Sequence, residues 1–534
     1  MMRYALVLVV FLLGCATAET PNREADVASM SAVQLAEAVK KGSLTSEQIV
    51  QAYLVRIEAM DRNGPSVQSI LALNPNALQE ARQRDAEVAQ GKVLGALHGI
   101  PVLVKDNIET KELPTTAGSL ALAENMTKRD APIIARLREQ GAIILGKTNL
   151  SEWANFRSND SISGWSGLGG QTRNPHSLDR SACGSSSGSG AAIAAQFSPL
   201  AIGTETNGSI MCPAAMNGIV GFKPTVGLLS RSHIVPISST QDTAGPMTRS
   251  VADAALMLTA MAGSDPLDKA TDNADSAKTD YVAALQGDIK GMRIGVMRFA
   301  QGTIPAVSEV FEEALMVLEK QGAILVDIND YKAPQGMWPK ALKVLETEFK
   351  ATLNEYLADT AADVKTRSLA NLIAFNQGSA RELALFDQSL FDSSEATKGL
   401  NDPDYIEALK VILSATREEG IDKLLTEHNV SVMVMPSRPP AFLIDAVFGD
   451  SYPGGSVGAG WLAAIAGYPI STVPMGEVKG MPVGLGVVGK AWDDAKVLKV
   501  SYVYEQASNK IITPTFAKGP FDLTQTKRAM QPYQ

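Results

Sequence analysis

Cys183-Gly-Ser-Ser-Ser-Gly-Ser-Gly-Ala-Ala-Ile-Ala-Ala195 leads from a Gly/Ser tract into small apolar residues, and Gly203-Thr-Glu-Thr-Asn-Gly-Ser-Ile-Met-Cys-Pro-Ala-Ala215 follows it. A Gly/Ser tract is ordinarily a flexible linker, but this one adjoins apolar helix and strand segments on its C-terminal side. Small residues packed inside a core bring the backbone close to another group, usually a ligand. The two segments therefore indicate a binding or catalytic site.

Short apolar runs around these segments predict the strands of a sheet. Val102–Val104 is such a run, and Lys105 lies at its C-terminal end. The other predicted strands are Ala142–Leu145, Leu200–Thr204, Arg293–Met297, Val432–Met435 and Val483–Val488. Helical segments alternate with them, which is typical of a sheet covered on both faces. We therefore predict an α/β fold: a single large domain with a mixed, largely parallel sheet between helices.

Helical patterns occur mainly before and within this domain. The capping boxes Ser31-x-x-Gln34 and Thr45-x-x-Gln48 predict two helices near the start of the chain. Residues 335–430 also have a mainly helical pattern, and we expect them to form an insertion or lid.

Composition excludes several classes of partner. The chain of 534 residues has a net charge of −9 and no long basic run, which argues against binding to nucleic acid. None of the four histidines is paired at metal-ligand spacing, so we predict neither a metal site nor a cofactor.

The first eighteen residues have the pattern of an export signal. Arg3 is followed by the apolar run 5–13, which is too short to span a bilayer. Leu12-Leu13-Gly14-Cys15 resembles a lipobox, in which Cys15 is lipidated, whereas Ala16-Thr17-Ala18 would release a soluble protein. We favour the lipobox and expect a periplasmic or membrane-anchored protein. A change in gel mobility after inhibition of lipoprotein signal peptidase would distinguish the two.

Two motifs match well-known expressions without the required context. Residues 141–148 match the P-loop pattern GxxxxGK[ST], but the middle residues predict a buried strand instead of a phosphate-binding loop. Residues 184–188 match GxSxG, yet a turn-rich loop at 174–183 precedes them where a nucleophile elbow requires a strand. We reject both interpretations.

The two quoted segments, with Lys105 upstream, resemble the amidase signature family. The family hallmark is a Gly-Gly-Ser-Ser-Gly-Gly tract followed about two dozen residues later by Gly-Gly-Ser-Ile-Arg-x-Pro-Ala. Ser185 and Ser209 are 24 positions apart and match this spacing. Further family-like stretches occur in the same order at 99–106, 146–149, 221–225, 241–246, 467–474 and 482–485. The resemblance covers roughly residues 27–510 and leaves 511–534 as a C-terminal tail.

The resemblance implies a catalytic role for three residues. Ser209 would be the nucleophile, and its proton would pass through Ser185 to a neutral Lys105. A lysine can act as this base only if burial lowers its pKa from about 10.4 toward 7. We expect Ser209→Ala and Lys105→Ala each to abolish turnover.

The family also implies a supporting set around this triad. Backbone N–H groups of Thr206, Asn207, Gly208 and the nucleophile itself would form an oxyanion hole, and Ser186 and Asp242 would support the relay and the loop. The bond before Ser185 is cis in the family.

The sequence departs from the family pattern at Cys183, Ser187, Asn207 and Met211, which puts the shape of the acyl pocket in doubt rather than the triad. Cys183 and Cys212 flank the site and could form a bridge, but we favour two small buried residues. A cysteine nucleophile would need an activating histidine, which neither has nearby in sequence, and we expect Cys183→Ser largely to preserve activity.

Members of this family that remove the C-terminal amide from peptides resemble the chain most. The stretches that carry this likeness are 151–157, 159–165, 170–175, 183–189 and 372–377. The predicted function is therefore a serine amidohydrolase that releases ammonia from peptide amides. A broader amidase acting on aryl or aliphatic amides is the alternative; a lipid-anchored peptide-binding protein is the alternative from a different class.

Overall fold

The computed structural model describes residues 27–92, 95–452 and 457–524, together with residues 526 and 530. The predicted export signal and Cys15 lie outside these ranges. No helix within them is both long and apolar enough to cross a bilayer.

One large sheet organises the chain. Eleven strands of the described residues form it, in the order β1-β3-β2-β8-β10-β9-β14-β15-β13-β11-β12, and the remaining four form two short hairpins. The strands are β1 Ile70–Leu73, β2 Pro101–Lys105, β3 Ile143–Thr148, β4 Trp165–Ser166, β5 Gly170–Gln171, β6 Arg173–Asn174, β7 Ser177–Ser181, β8 Leu200–Glu205, β9 Val220–Lys223, β10 Thr243–Thr248, β11 Arg293–Met297, β12 Ile324–Ile328, β13 Val432–Pro436, β14 Ile470–Val478 and β15 Met481–Val488.

The pairing confirms a mixed sheet. Neighbouring strands are parallel in the groups β3-β2-β8 and β13-β11-β12. The strands between these groups, and the edge pair β1-β3, are antiparallel. The parallel share is smaller than alternating strands and helices indicate. One reason is that β14 and β15 are joined by a tight turn, which requires antiparallel pairing.

Each predicted strand is present, with bounds that differ by at most three residues. Strands β9, β10 and β14 escaped prediction because glycine, proline and threonine interrupt their apolar pattern. The segment Thr243-Ala-Gly-Pro-Met-Thr248 illustrates this, since its strand character comes from pairing with β8 and β9.

Helices flank the sheet and confirm both capping boxes, at Ser31 and Thr45. The α-helices are α1 Ala32–Lys40, α2 Ser46–Ile57, α3 Ala77–Ala89, α4 Pro132–Glu139, α5 Ser187–Ala194, α6 Met211–Met216, α7 Val251–Met261, α8 Ala274–Ala277, α9 Tyr281–Ala284, α10 Pro305–Lys320, α11 Met337–Ala358, α12 Leu369–Gln377, α13 Ser389–Glu395, α14 Pro403–Thr416, α15 Asp422–Glu427, α16 Trp461–Ala466 and α17 Asp494–Ser508.

The mainly helical pattern of residues 335–430 is confirmed by α11 to α15. Part of this insertion packs on the region around the candidate site: Phe349 contacts Phe156, and Phe391 contacts Trp153. Arg157 strengthens the attachment, because its fully buried guanidinium lies between the carboxylates of Glu152 and Glu382. The insertion therefore forms a wall beside the site.

Candidate active site

Lys105 ends β2 and is fully buried beneath the two quoted segments. Its Nζ lies 2.9 Å from Ser185 Oγ and 2.7 Å from Thr204 Oγ1. Burial lowers the pKa of this amine to about 7, and the nearby carboxylates of Asp242 and Glu205 oppose that shift only in part. Near neutral pH the amine can therefore lose its proton and accept one from Ser185.

The buried segment that carries Ser185 has a cis peptide bond between Gly184 and Ser185. The Ser151 N–H donates to the Ser185 carbonyl at 3.0 Å. A Cβ on Gly184 would lie 2.2 Å from Ser151 Oγ, so only glycine fits there. The small residues predict that the backbone lies close to another group, usually a ligand. At Gly184 that group is Ser151 of the protein itself.

Ser209 lies in the loop between β8 and α6 and is half-buried. Its carbonyl accepts a hydrogen bond from the Ser186 N–H at 3.1 Å, which joins the loop that carries Ser209 to the segment that carries Ser185. Its hydroxyl forms no hydrogen bond with the residues that the structure describes. Catalytic hydrogen bonds often form only when substrate binds, so the proton path from Ser209 to Ser185 is one that the bound state would complete.

The loop before Ser209 is fixed from both ends. Glu205 accepts hydrogen bonds from the N–H groups of Ile210 and Met211, at 2.8 and 2.9 Å. Gly208 has a φ of 93°, which favours glycine. Asn207 is exposed, and the amides of residues 206–208 donate to no acceptor within the described ranges. They are thus free to receive an oxyanion.

Asp242 and Ser186 both contact this loop or the strand that leads to it. Asp242 accepts hydrogen bonds from Thr206 Oγ1 at 2.6 Å and from the N–H groups of Ile237 and Ser238. Ser186 Oγ bonds both the N–H and the carbonyl of Thr204, at 3.2 and 3.0 Å. Both side chains thus bond residues at the end of β8 or in the loop that follows it, and their supporting role stays a prediction.

A cavity of about 520 Å³ opens beside Thr204 and Thr206. Its wall also includes Asp242 and, from helix α11, Glu355 and Tyr356. Ligand pockets for small molecules span about 300–1,000 Å³, so the cavity has room for one.

Cys183 and Cys212 form a disulfide, so the preference for two free buried thiols is wrong. The bridge joins the segment that carries Ser185 to the helix that follows Ser209. Sequence spacing alone left the pairing open, because only the fold brings the two segments side by side. A bridged sulfur is not a thiolate, which removes either cysteine as a rival nucleophile.

We expect the double variant Cys183→Ser/Cys212→Ser to have a free energy of unfolding about 3–4 kcal/mol lower, because the bridge closes a loop of 29 residues. Urea denaturation of both proteins measures this, and dithiothreitol should weaken the native protein but not the variant. Two titratable thiols in denatured, unreduced protein lacking residues 1–18 would contradict the bridge.

The residues that match the P-loop and GxSxG patterns have other roles in the fold. Residues 143–148 form buried strand β3, and Lys147 pairs with Asp106 at 2.8 Å instead of facing a phosphate loop. The turn-rich loop expected at 174–183 is wrong in part, since it contains strand β7, which local pairing with β6 stabilises. The GxSxG serine is Ser186, whose hydroxyl bonds the backbone of Thr204 and no histidine of the described residues.

Three functional candidates escaped prediction: Thr204, Glu205 and Arg438. The first two lie within the quoted segments, where the contact of Thr204 with Lys105 and the loop-capping role of Glu205 have no local signal. Arg438 lies far away in sequence, yet its Nη2 is 2.3 Å from where a Cβ on Gly208 would be.

Comparisons with known proteins show the family. The model of the Amidase family matches residues 48–498. A solved structure of the peptide amidase from Stenotrophomonas maltophilia is 46% identical and covers 91% of this chain and 99% of its own, with a TM-score of 0.86. A structure of the peptide amidase PAM in complex with the competitive inhibitor chymostatin has a TM-score of 0.87 at 46% identity, over 92% of this chain and 99% of its own.

More distant relatives carry the names of amide-bond enzymes too. A protein of Arabidopsis thaliana named "Probable amidase" is 36% identical over 87% of each chain. A glutamyl-tRNA(Gln) amidotransferase chain of Thermoanaerobacter pseudethanolicus is 33% identical, over 90% of this chain and 96% of its own. The chain therefore belongs to the amidase signature family and is an amide-hydrolysing enzyme.

Proposed function

We propose that this enzyme hydrolyses the C-terminal carboxamide of peptides and releases ammonia. The observation that carries the chemistry is the buried Lys105 amine, with a pKa of about 7, in contact with Ser185. A serine hydroxyl is a weak nucleophile until a base accepts its proton, and a buried neutral amine is such a base.

In the proposed cycle, Ser209 Oγ attacks the carboxamide carbon while its proton passes through Ser185 to Lys105. The amides of residues 206–208 stabilise the oxyanion, each by about 3 kcal/mol. The C–N bond then breaks, and the proton on Lys105 returns through Ser185 to the nitrogen, which leaves as ammonia. Water attacks the resulting ester by the same path and releases the peptide acid.

Two observations support a peptide as the acyl part. The peptide amidase of Stenotrophomonas maltophilia is 46% identical over nearly its whole length. The half-buried nucleophile also remains accessible to the end of a chain, whereas Lys105 is closed to solvent.

Broad hydrolysis of aryl or aliphatic amides is the second candidate function, since the cavity beside Thr206 would also accept such groups. A lipid-anchored peptide-binding protein would have no use for a buried neutral lysine in contact with a serine.

We also propose that the enzyme acts outside the cytoplasm. The N-terminal pattern and the Cys183–Cys212 bridge support this location, because disulfides persist in oxidising compartments.

A substrate screen tests the proposed specificity. Ammonia release is measured with a dipeptide amide, the same dipeptide as free acid, acetanilide and butyramide; acetanilide is followed through aniline. We expect kcat/KM for the dipeptide amide to exceed the values for both simple amides by at least about a hundredfold, since remote contacts contribute to transition-state binding. Equal values would favour the broad amidase, and binding of the dipeptide amide without ammonia release would favour the binding protein.

A further inference from the structure

Arg438 lies next to Gly208, on a backbone segment that is fixed on both sides. It comes two residues after the end of β13, and Pro439 and Pro440 follow it. Ser437 is fixed by a hydrogen bond from its N–H to the Gly484 carbonyl at 2.7 Å and by contact with Thr472 Oγ1 at 2.6 Å. The prolines restrict the backbone on the other side, so the backbone from which the Arg438 side chain extends is fixed.

The guanidinium packs against Gly208, one residue before Ser209. A Cβ on Gly208 would lie 2.3 Å from Arg438 Nη2, so the absence of a side chain at this position leaves room for the guanidinium. Gly208 is also an expected oxyanion-hole residue. An acyl group attached to Ser209 therefore begins one residue along the chain from the contact between Gly208 and this positive charge.

Arg438 forms no hydrogen bond or ion pair with any residue that the structure describes. The arginines in the wall of the cavity differ in this respect: Arg129 pairs with Glu109 at 2.5 Å, and Arg231 pairs with Asp268 at 2.7 Å. No nitrogen of this half-buried guanidinium is both buried and unpaired, so its five donors can reach solvent or a ligand.

Asp450 is an acidic residue that, like Arg438, interacts electrostatically with Tyr452, but its hydrogen bond is to another residue. Its carboxylate accepts the Ser163 N–H at 3.0 Å. Burial raises the pKa of Tyr452; Arg438 opposes this shift and Asp450 adds to it, so both charges act on the same phenol. Arg438 thus has a neutral neighbour, Tyr452, and donors to spare for a substrate.

We propose that Arg438 donates hydrogen bonds to the peptide carbonyl oxygen that precedes the C-terminal residue of the substrate, and so selects peptide amides over free amino-acid amides. This inference rests on the proposed function. With the scissile carbonyl at Ser209, the next acceptor along a peptide lies one residue away, on the acyl side. A free amino-acid amide places an ammonium group there, which the guanidinium repels.

Three amides with the same side chain test this role: N-acetyl-leucinamide, leucinamide and 4-methylpentanamide, which lacks the α-nitrogen. We expect Arg438→Leu to lower the kcat/KM ratio of N-acetyl-leucinamide to 4-methylpentanamide about tenfold to a hundredfold, the range for a hydrogen bond to a charged donor. Most of the loss should appear in KM. The ratio of N-acetyl-leucinamide to leucinamide should fall as well.

Lys320→Leu is the matched control, because it removes a positive charge from an exposed position at the end of α10 and should leave both ratios as they are. Arg438→Gln, which keeps donors but loses the charge, replaces Arg438→Leu if that variant does not fold, and should lower the same ratios. Ratios in the folded Arg438 variant within twofold of the native values would overturn the inference. Absence of ammonia from all three amides with the native enzyme would instead overturn the proposed function.

Discussion

Ser209→Ala is expected to lower kcat for ammonia release from a peptide amide by at least about a thousandfold, because no other group can form the acyl-enzyme. The fold should be preserved, since the hydroxyl makes no hydrogen bond with the described residues, and the alanine variant keeps the carbonyl at position 209 that accepts the Ser186 N–H. A steady-state ammonia assay on N-acetyl-leucinamide measures the loss.

Covalent labelling of the nucleophile gives a second test of Ser209. An activated fluorophosphonate should label the native enzyme on the tryptic peptide that contains Ser209, and Ser209→Ala should abolish that label. Ser276→Ala, at an exposed position on α8, is the control and should keep both activity and labelling. More than a tenth of native activity in Ser209→Ala would show that Ser209 is not the nucleophile.

Lys105→Met is expected to be almost as severe, because it replaces the proton acceptor of Ser185 by an apolar chain of similar size. We expect a loss of at least about a thousandfold in kcat. Lys223→Met is a close control: Lys223 is also fully buried and burial lowers its pKa to about 8, but it donates to the Pro224 carbonyl and not to a serine. Equal losses in the two variants would mean that Lys105 has a structural role only.

The pH profile gives a second test of Lys105. The base must be neutral, and its pKa is about 7. Below that pH the amine is protonated, so kcat/KM should fall about tenfold for each unit of pH, and above it the rate should level off. A profile that shows no inflection between pH 6 and 8 would contradict a lysine base.

The sequence predicted most of the predominantly apolar strands but missed the apolar strand β1, Ile70–Leu73, and it predicted the other strands poorly. The runs at Val102–Val104 and Arg293–Met297 are strands in the structure. Strands β9, β10 and β14 were missed because glycine, proline and threonine residues interrupt their apolar pattern, and only their neighbours in the sheet make them strands. Because these three strands form the antiparallel centre of the sheet, the sequence did not predict that part of the pairing.

The identities of the candidate triad residues came from spacing and from a family resemblance, because Lys105, Ser185 and Ser209 lie in short segments whose residue types are restrictive. Local sequence also indicated that Lys105 is buried, since it ends an apolar strand. The magnitude of its pKa shift depends on full burial and on the distances to Asp242 and Glu205, and a linear pattern contains neither.

Sequence alone thus determined which segments are buried and which residue types can do the chemistry, because apolar periodicity and restrictive motifs are local properties of a chain. Tertiary structure decided the Cys183–Cys212 bridge, the contact of Lys105 with Thr204 and the position of Arg438 beside Gly208. Each of these joins residues that are separated by 29 to more than 200 positions. Such pairs meet only when the sheet order is set, and that order depends on the packing of the whole chain.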